Sequence, residues 1–370
     1  MTSRADAAVI GAVPGGGRVA APPVVGRDSW LRLYPIALGM GGTGGAWRTA
    51  VVLGAPAWPA ICLAVLCLVI WGTVTAMYVV SGGTRLRALV ADLQHPEQGF
   101  ALGYIPLVPL LLLANPIPRT AGVRILDLAL VAFWAMGTAA LVAHWITTPR
   151  DRNAIHPGFS LPVVGGAFIA SISLQANGWH SAATGVFFVG AYFWLTFGAV
   201  IMGRLMTEQR LNDARFPTLA VLMVPPATAS TAWFALNGNR STTVGVGLAA
   251  VLAMMALVQL FILPEYLRRP FIVSCWSFSF PLASAANAVG HWAIAAPSPA
   301  NRWLAWSTLI VATAVVGLLV LLTVRTLWRQ RLTLVRGGFR WRWQSRSPDA
   351  GVVRHSKTPE LALTRGECNG

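Results

Sequence analysis

Long apolar runs, separated by short stretches rich in arginine, proline, glycine or asparagine, constrain the fold of this chain more than any other feature. A bilayer core about 30 Å thick is spanned by a helix of about 20 apolar residues, so each run predicts a transmembrane helix. The ten runs cover residues 34–53, 58–80, 100–114, 123–147, 159–177, 181–204, 218–236, 243–263, 271–293 and 303–324. The predicted fold class is therefore an all-α membrane protein, with helices numbered 1 to 10 in chain order.

Composition excludes a water-soluble globular domain, since 55% of the residues are hydrophobic and only 11% are charged. The net charge of +16 is carried almost entirely by arginine. These arginines lie between apolar runs rather than along one soluble face, which favours membrane topology over nucleic-acid binding. The expected partners are the lipid bilayer and small inorganic or organic anions, with no nucleic acid.

Arginine is unevenly divided between the two sets of predicted loops. One set contains Arg85, Arg87, Arg150, Arg152, Arg204, Arg210, Arg215, Arg268 and Arg269, and the other contains Arg48, Arg119, Arg124, Arg240 and Arg302. Because positive charge near helix ends is retained in the cytoplasm, both termini are predicted to be cytoplasmic in a multi-pass protein of the plasma (inner) membrane. Residues 1–32 are expected to be a flexible tail, 33–325 the transmembrane domain, and 326–370 a basic, partly disordered tail.

Proline is concentrated just before and within the odd-numbered helices. His95-Pro96, His156-Pro157, Phe216-Pro217 and Arg269-Pro270 each precede one of them. Proline and glycine also lie within these runs, as Gly39 and Gly42 in helix 1, Pro106 and Pro109 in helix 3, Pro162, Gly165 and Gly166 in helix 5, Pro225 and Pro226 in helix 7, and Pro281 in helix 9. An interior proline frees a carbonyl that lipid cannot satisfy. Five helical hairpins are therefore expected, with odd helices in an inner ring around a central pore and even helices outside.

The wall of such a pore would be neutral, because helices 3, 5, 7 and 9 contain no Asp, Glu, Lys or Arg. It would offer hydroxyl groups, namely those of Thr228, Ser230, Thr231, Ser277, Ser279 and Ser284. Carboxylate rings mark cation pathways and buried acids mark proton-driven carriers, so their absence here favours anions. For Asp127, His144 and His291, which lie toward helix ends, a transport role and an ordinary hydrogen bond both stay open. No catalytic site, metal site or cofactor is predicted.

Three segments resemble the tellurite-resistance/dicarboxylate transporter family, which includes bacterial TehA proteins, plant guard-cell slow anion channels and fungal malate and sulfite transporters. They are YPIALGMGGTGGAW at 34–47, VPPATASTAW at 224–233 and WSFSFPLAS at 276–284. The resemblance implies a homotrimer in which each subunit has its own pore, closed by a phenylalanine of helix 9. Phe280 occupies that position, and Pro281 follows it. Phe278 would face another side of the helix.

Together these patterns predict a protein that moves small anions across the membrane through a gated pore, with channel-like, broad selectivity. The alternative is a secondary carrier or exporter of sulfite, C4-dicarboxylate, tellurite or toxic compounds. An enzyme is not expected, because the inner helices lack paired carboxylates or a nucleophile with a base. The mixture of arginine and tryptophan at 325–346 fits either contact with the anionic leaflet or a disordered tail.

Overall fold

All regular structure in the computed structural model, which describes residues 27–95, 98–115, 118–149 and 151–335, is helical. An α-helix overlaps each of the predicted runs. These helices are α1 (Tyr34–Val52), α2 (Trp58–Val80), α3 (Tyr104–Leu113), α4 (Ala121–Thr147), α5 (Gly166–Ala176), α6 (His180–Thr207), α7 (Val224–Leu236), α8 (Thr243–Leu267), α9 (Ser279–Ala295) and α10 (Pro299–Val335). Two shorter α-helices, Arg27–Leu31 and Leu86–Leu93, are the remaining α-helices of the described ranges.

Seven helical stretches in these ranges are long and apolar enough to cross a membrane. They are Trp58–Val80, Ala121–Thr147, Pro157–Ala176, His180–Thr207, Phe216–Leu236, Thr243–Leu267 and Pro299–Arg329. Gly99–Leu113 is apolar but shorter. The chain is thus an α-helical, multi-pass membrane protein, and the count of ten crossings stays a prediction.

Burial alternates along these stretches. The apolar windows of Pro157–Ala176 and Phe216–Leu236 are 83% and 72% buried. The windows that include α2, α4, α6 and α8 are at most 22% buried, although they are at least as apolar. A helix that exposes apolar side chains all round its surface is stable only in lipid. The even-numbered helices therefore supply the apolar surface, and the odd-numbered ones supply much of the core.

Four odd-numbered helices start irregularly. The segments Gly99–Gly103, Phe216–Met223 and Val273–Phe278 are 3₁₀ helices that lead directly into α3, α7 and α9. A 3₁₀ turn at Pro157–Phe159 and a π-helical turn at Leu161–Gly165 precede α5. Each predicted inner helix after the first thus reaches its α-helical part through a tighter or wider turn.

The placement of the prolines corrects the expectation that most of them interrupt helix interiors. Pro225 and Pro226 stand in the first turn of α7, Pro162 in the π-helical turn, and Pro281 is the third residue of α9. These prolines therefore stand where the winding of the helix changes and not in the middle of a continuous α-helix. Pro109 does lie inside a helix, α3.

The sequence pattern suggested that interior proline is confined to the odd-numbered helices, but the structure shows one in an even-numbered helix as well. Helix α8 continues beyond the predicted end at residue 263 to Leu267 and contains Pro264 in its interior. The proline stands near the end of the helix, where water can satisfy a freed carbonyl. The alternation of burial therefore shows more reliably than the alternation of proline which helices lie inside the protein and which lie at its surface.

Helical structure extends into both stretches that the sequence predicted as tails. The helix Arg27–Leu31 falls within the predicted tail 1–32, and the Leu31 side chain is only 1% exposed. Helix α10 continues to Val335, past the predicted tail start at 326. Residues 1–26 and 336–370, together with Pro96 and Arg150, lie outside the described residues.

Candidate functional site

A cavity of about 570 Å³, counting its open mouth, lies where the starts of the odd-numbered helices meet. Each of the five contributes to its lining, as Leu38 of α1, Tyr104 of α3, Leu161 before α5, Val221 before α7 and Phe280 of α9 illustrate. The cavity is open at one end. Since one side chain from each of five helices converges on it, this is the best candidate for the entrance of a passage through the protein.

The electrostatics of the cavity favour negative charge. Its described lining includes Arg32 and the neutral polar residues Gln98, Thr218 and Ser277, and it contains no Asp or Glu. Among the described lining residues, the only formal charge is therefore the positive one of Arg32.

Phe280 is one of the residues that line this cavity. Its side chain is 3% exposed, and its ring packs against Gly42 of α1. A methyl group at residue 42 would lie 2.8 Å from Cδ2 of the ring, closer than such carbon atoms approach in real structures. Gly39 has the same relation to the Ser279 side chain, whose Oγ would be 2.0 Å from a Cβ at residue 39. The glycines of α1 therefore let α9 approach closely enough to seat the ring.

Phe278 has different surroundings. Its ring makes an edge-to-face contact with Tyr266, with the ring centroids 4.7 Å apart. Both rings line a smaller neighbouring cavity together with Arg269, which forms an ion pair with Asp213 (Nε to Oδ1, 2.9 Å). Of the two phenylalanines, only Phe280 therefore lies at the larger cavity.

The other predicted site residues pack between helices. None of them lines the cavity. Pro109 is half-buried. The others are buried, namely Pro281 and the predicted pore-lining residues Gly39, Gly42, Pro106, Pro162, Gly165, Gly166, Pro225, Pro226 and Thr228. A Cβ on Gly166 would lie 2.4 Å from Nε1 of Trp134, and that nitrogen donates to the Pro162 carbonyl at 2.8 Å. These residues set how closely the helices approach.

Ser277 lines the cavity, and the other five hydroxyl groups expected on the pore wall are turned toward their own helices. The hydrogen bonds are Thr228 Oγ1 to the Val224 carbonyl (2.7 Å), Ser230 to Pro226 (2.7 Å), Thr231 to Ala227 (3.1 Å), Ser279 to Trp276 (2.6 Å) and Ser284 to Pro281 (3.0 Å). Each hydrogen is thus already donated to a backbone carbonyl. A solute would meet the oxygen atoms of these side chains and not their donors.

Two buried polar groupings were not predicted. Asp127 of α4 is fully buried and accepts a hydrogen bond from Ser173 Oγ of α5 at 2.5 Å. Thr49 of α1 donates to Asn287 Oδ1 of α9, also at 2.5 Å, and lies close to His291. Sequence patterns placed Asp127 and His291 near helix ends, but their partners come from other parts of the chain. Spacing within one run cannot reveal them.

Comparison with known proteins matches residues 31–324 to a family model described as SLAC1, voltage-dependent anion channel. The chain is 26% identical over 190 residues to the guard cell S-type anion channel SLAC1 of Arabidopsis thaliana, covering 50% of this chain and 33% of that protein. It is 23% identical over 281 residues to a tellurite resistance protein TehA homolog of Haemophilus influenzae, covering 74% of this chain and 82% of that protein. S-type anion channel SLAH3 of Arabidopsis is 22% identical over 315 residues, covering 80% of this chain and 48% of that protein.

The matched part of this chain spans about a third of the plant SLAC1 protein and most of the TehA homolog. The family match includes the cavity, Phe280 and every helix that contributes to the cavity. The predicted resemblance is therefore confirmed. The chain belongs to the SLAC1 family of voltage-dependent anion channels, whose members are membrane channels and transporters for anions and not enzymes.

Proposed function

We propose that this protein is a gated, channel-like pathway for small anions, with Phe280 as the gate. The observation that supports the proposal is the cavity that the starts of five helices line, with Phe280 among its lining residues. In this scheme the ten helices cross the membrane as five hairpins. The odd-numbered helices surround the pathway and the even-numbered ones face lipid, and the alternation in burial supports this arrangement.

The proposed assembly is a homotrimer with one pathway in each subunit, as the resemblance implies. The arginine distribution supports cytoplasmic termini in the inner membrane. With this orientation the cavity opens toward the cytoplasm, since α1 is the first crossing and its start lines the cavity. The membrane domain in the proposal covers residues 33–325.

Attraction of anions to the entrance and weak binding of anions along the wall of the pathway would together favour anion flux. Arg32 raises the local concentration of anions at the entrance. Beyond the entrance, the described parts of α3, α5, α7 and α9 contain no fixed cation of Lys or Arg type, and the hydroxyl hydrogens of Thr228 and Ser284 are donated to backbone carbonyls. Such a wall holds an anion weakly and releases it quickly. Selectivity is then broad and favours ions that lose water easily.

The proposed gate is a hydrophobic constriction. The Phe280 ring fills the space beside Gly42, and a bulky apolar group in a narrow passage excludes water and ions. Pro281 and the 3₁₀ segment Val273–Phe278 flank the ring. Because proline and 3₁₀ turns weaken the regular hydrogen-bond ladder, this part of α9 has the freedom to move the ring aside.

The test is Phe280→Ala in planar bilayers containing the purified protein. Removing the ring is expected to raise chloride and nitrate conductance well above wild type, because nothing else at the end of the cavity fills its place. Phe278→Ala is the matched control, since it also removes a phenylalanine ring but from a residue that does not line the larger cavity. It is expected to leave conductance close to wild type. Equal currents through Phe280→Ala and wild type would remove the gate from the proposal.

The second candidate is a secondary carrier or exporter of sulfite, C4-dicarboxylate, tellurite or toxic compounds, and the relative named for tellurite resistance favours it. Reversal potentials in proteoliposomes separate the two candidates. A channel follows the imposed anion gradient alone, whereas a proton-coupled carrier also shifts with the pH gradient. We expect the first result for inward and outward chloride gradients.

A further inference from the structure

A second polar cluster lies at the opposite end of the inner helices from the cavity. It joins Thr49 near the end of α1, Asn287 and His291 in the second half of α9, and Asn239 in the turn after α7. We propose that Thr49, Asn287 and His291 form a proton-linked binding site for a small monovalent anion such as nitrate or chloride. The proposal rests on the proposed function, because it places this site further along the same pathway.

The position of the cluster on α9 points to the pathway. Phe280, Ser284, Asn287 and His291 are separated by four, three and four residues, which places them on one face of the helix. At a rise of 1.5 Å per residue, Asn287 and His291 lie about 10 and 16 Å beyond the proposed gate. The helix face that carries Phe280 therefore also carries Asn287 and His291, whose side chains have polar nitrogen atoms.

Close packing of α1 on α9 brings Thr49 to this face. A Cβ at residue 290 would lie 2.9 Å from Cγ2 of Thr49, so Gly290 is what permits the approach. Thr49 Oγ1 then donates to Asn287 Oδ1 at 2.5 Å. Because Oδ1 is occupied, Asn287 presents its amide hydrogens. No acceptor for Nδ2 of Asn287 occurs among the hydrogen bonds of the described residues, and the side chain is half-buried.

The hydrogen bonds of His291 determine where an added proton goes. The Asn239 Oδ1 atom accepts from Nδ1 of the ring at 2.8 Å, so Nδ1 carries a hydrogen. The only hydroxyl hydrogen of Thr49 is donated to Asn287, and Nε2 of His291 lies 3.4 Å from the Thr49 oxygen. In the neutral ring two lone pairs face each other across this distance. A proton on Nε2 converts the contact into a hydrogen bond.

The surroundings provide no carboxylate to balance that charge. The elements packed against this end of α9 contribute Arg48 at the end of α1, Arg240 after α7, and Arg302 at the start of α10, while α7 and the first half of α8 contain no charged residue. The Phe234 ring is stacked on the imidazole, with centroids 6.1 Å apart. A partly buried imidazolium needs a counter-ion. With none supplied by the described residues nearby, a permeating anion takes that position beside the Asn287 amide.

Proton and anion binding are then coupled, and each increases the affinity for the other. The functional test uses the full-length protein with Phe280→Ala in planar bilayers containing nitrate. Lowering the pH from about 7.5 to about 4 on the His291 side, which protonates the ring, is expected to increase conductance severalfold. His291→Gln is expected to lose this pH response. The control His180→Gln removes an exposed histidine at the start of α6 and is expected to keep it.

A measurement of binding keeps the two proposals separable. In wild-type protein with ¹⁵N-labelled histidine at pH about 4, the His291 ring signals are identified by their loss in His291→Gln. They are expected to shift as nitrate is added, and Asn287→Ala is expected to reduce the shift. A shift without anion current through Phe280→Ala would support this site and contradict the gated pathway. Current without a nitrate-dependent shift, or an unchanged pH response in His291→Gln, would overturn the site and leave the pathway standing.

Discussion

At the scale of single residues, the contact between Gly42 and the Phe280 ring decides how the proposed gate is seated. The space for the ring exists only because residue 42 has no side chain. The resemblance of the segment 276–284 was enough to single out Phe280, and the cavity lining agrees with that choice. The glycine opposite was predicted as a pore-lining residue. Its actual neighbour became visible only when α1 and α9 were placed side by side.

Gly42→Ala is expected to raise basal anion conductance, though less than Phe280→Ala. The added methyl group would lie 2.8 Å from the ring, so the ring must move out of its slot. Single-channel or vesicle-flux measurements compare the variant with Gly45→Ala, where a Cβ meets no atom within 4 Å. Adding Gly42→Ala to Phe280→Ala should change nothing further. A Gly42→Ala protein with wild-type conductance would mean that the ring seats without this slot.

Other residue assignments could not be made from the sequence. Thr228 was expected to offer its hydroxyl to the pathway, but the direction of a hydroxyl depends on the rotamer and on the nearest carbonyl, which here belongs to Val224. Asn287 was not singled out at all. The spacing from Phe280 to His291 was readable in the sequence, and it would have predicted a shared helix face.

At the scale of helices, the irregular starts of the inner helices depend on hydrogen bonds from their neighbours. The π-helical turn before α5 contains Pro162, whose carbonyl accepts from Trp134 Nε1 of α4. The apolar runs predicted where the helices lie, because hydropathy marks a span. They could not distinguish α, 3₁₀ and π turns, which have the same composition. The prolines marked these starts, although their position within the helices was predicted wrongly.

Trp134→Phe is expected to destabilise the protein by about 1–3 kcal/mol, because the buried Pro162 carbonyl loses its donor. Thermal unfolding in detergent should show a lower midpoint than wild type. The control Trp194→Phe makes the same change in a half-buried residue of α6 whose ring contacts Phe168 and whose indole nitrogen has no hydrogen bond among the described residues. Equal midpoints for both variants would contradict the importance of this hydrogen bond.

At the scale of the whole molecule, the orientation in the membrane follows from the arginines between the helices. The sequence predicted the order and approximate ends of the helices and the contrast between buried and exposed spans. It did not predict the cavity, since its lining comes from five segments distant along the chain. Convergence of this kind depends on tertiary packing and not on any local pattern.

Reporter fusions test the orientation. Alkaline phosphatase fused at residue 211 or residue 335 is expected to be inactive, because both positions are predicted to be cytoplasmic. The same enzyme fused at residue 297, between α9 and α10, is expected to be active. Green fluorescent protein at these three positions should give the complementary pattern. Activity at residue 335 together with inactivity at residue 297 would reverse the proposed orientation, and with it the side on which the cavity opens.

The eight-residue 3₁₀ helix Phe216–Met223 has one further consequence for the molecule. A 3₁₀ helix rises about 2.0 Å per residue and an α-helix about 1.5 Å, so rewinding this segment would shorten it by about 4 Å. The remaining N–H groups would bond to carbonyls four residues back instead of three, and one hydrogen bond would be lost at the start of the segment. The length of this inner helix is thus adjustable by a change of winding that costs little of its backbone hydrogen bonding.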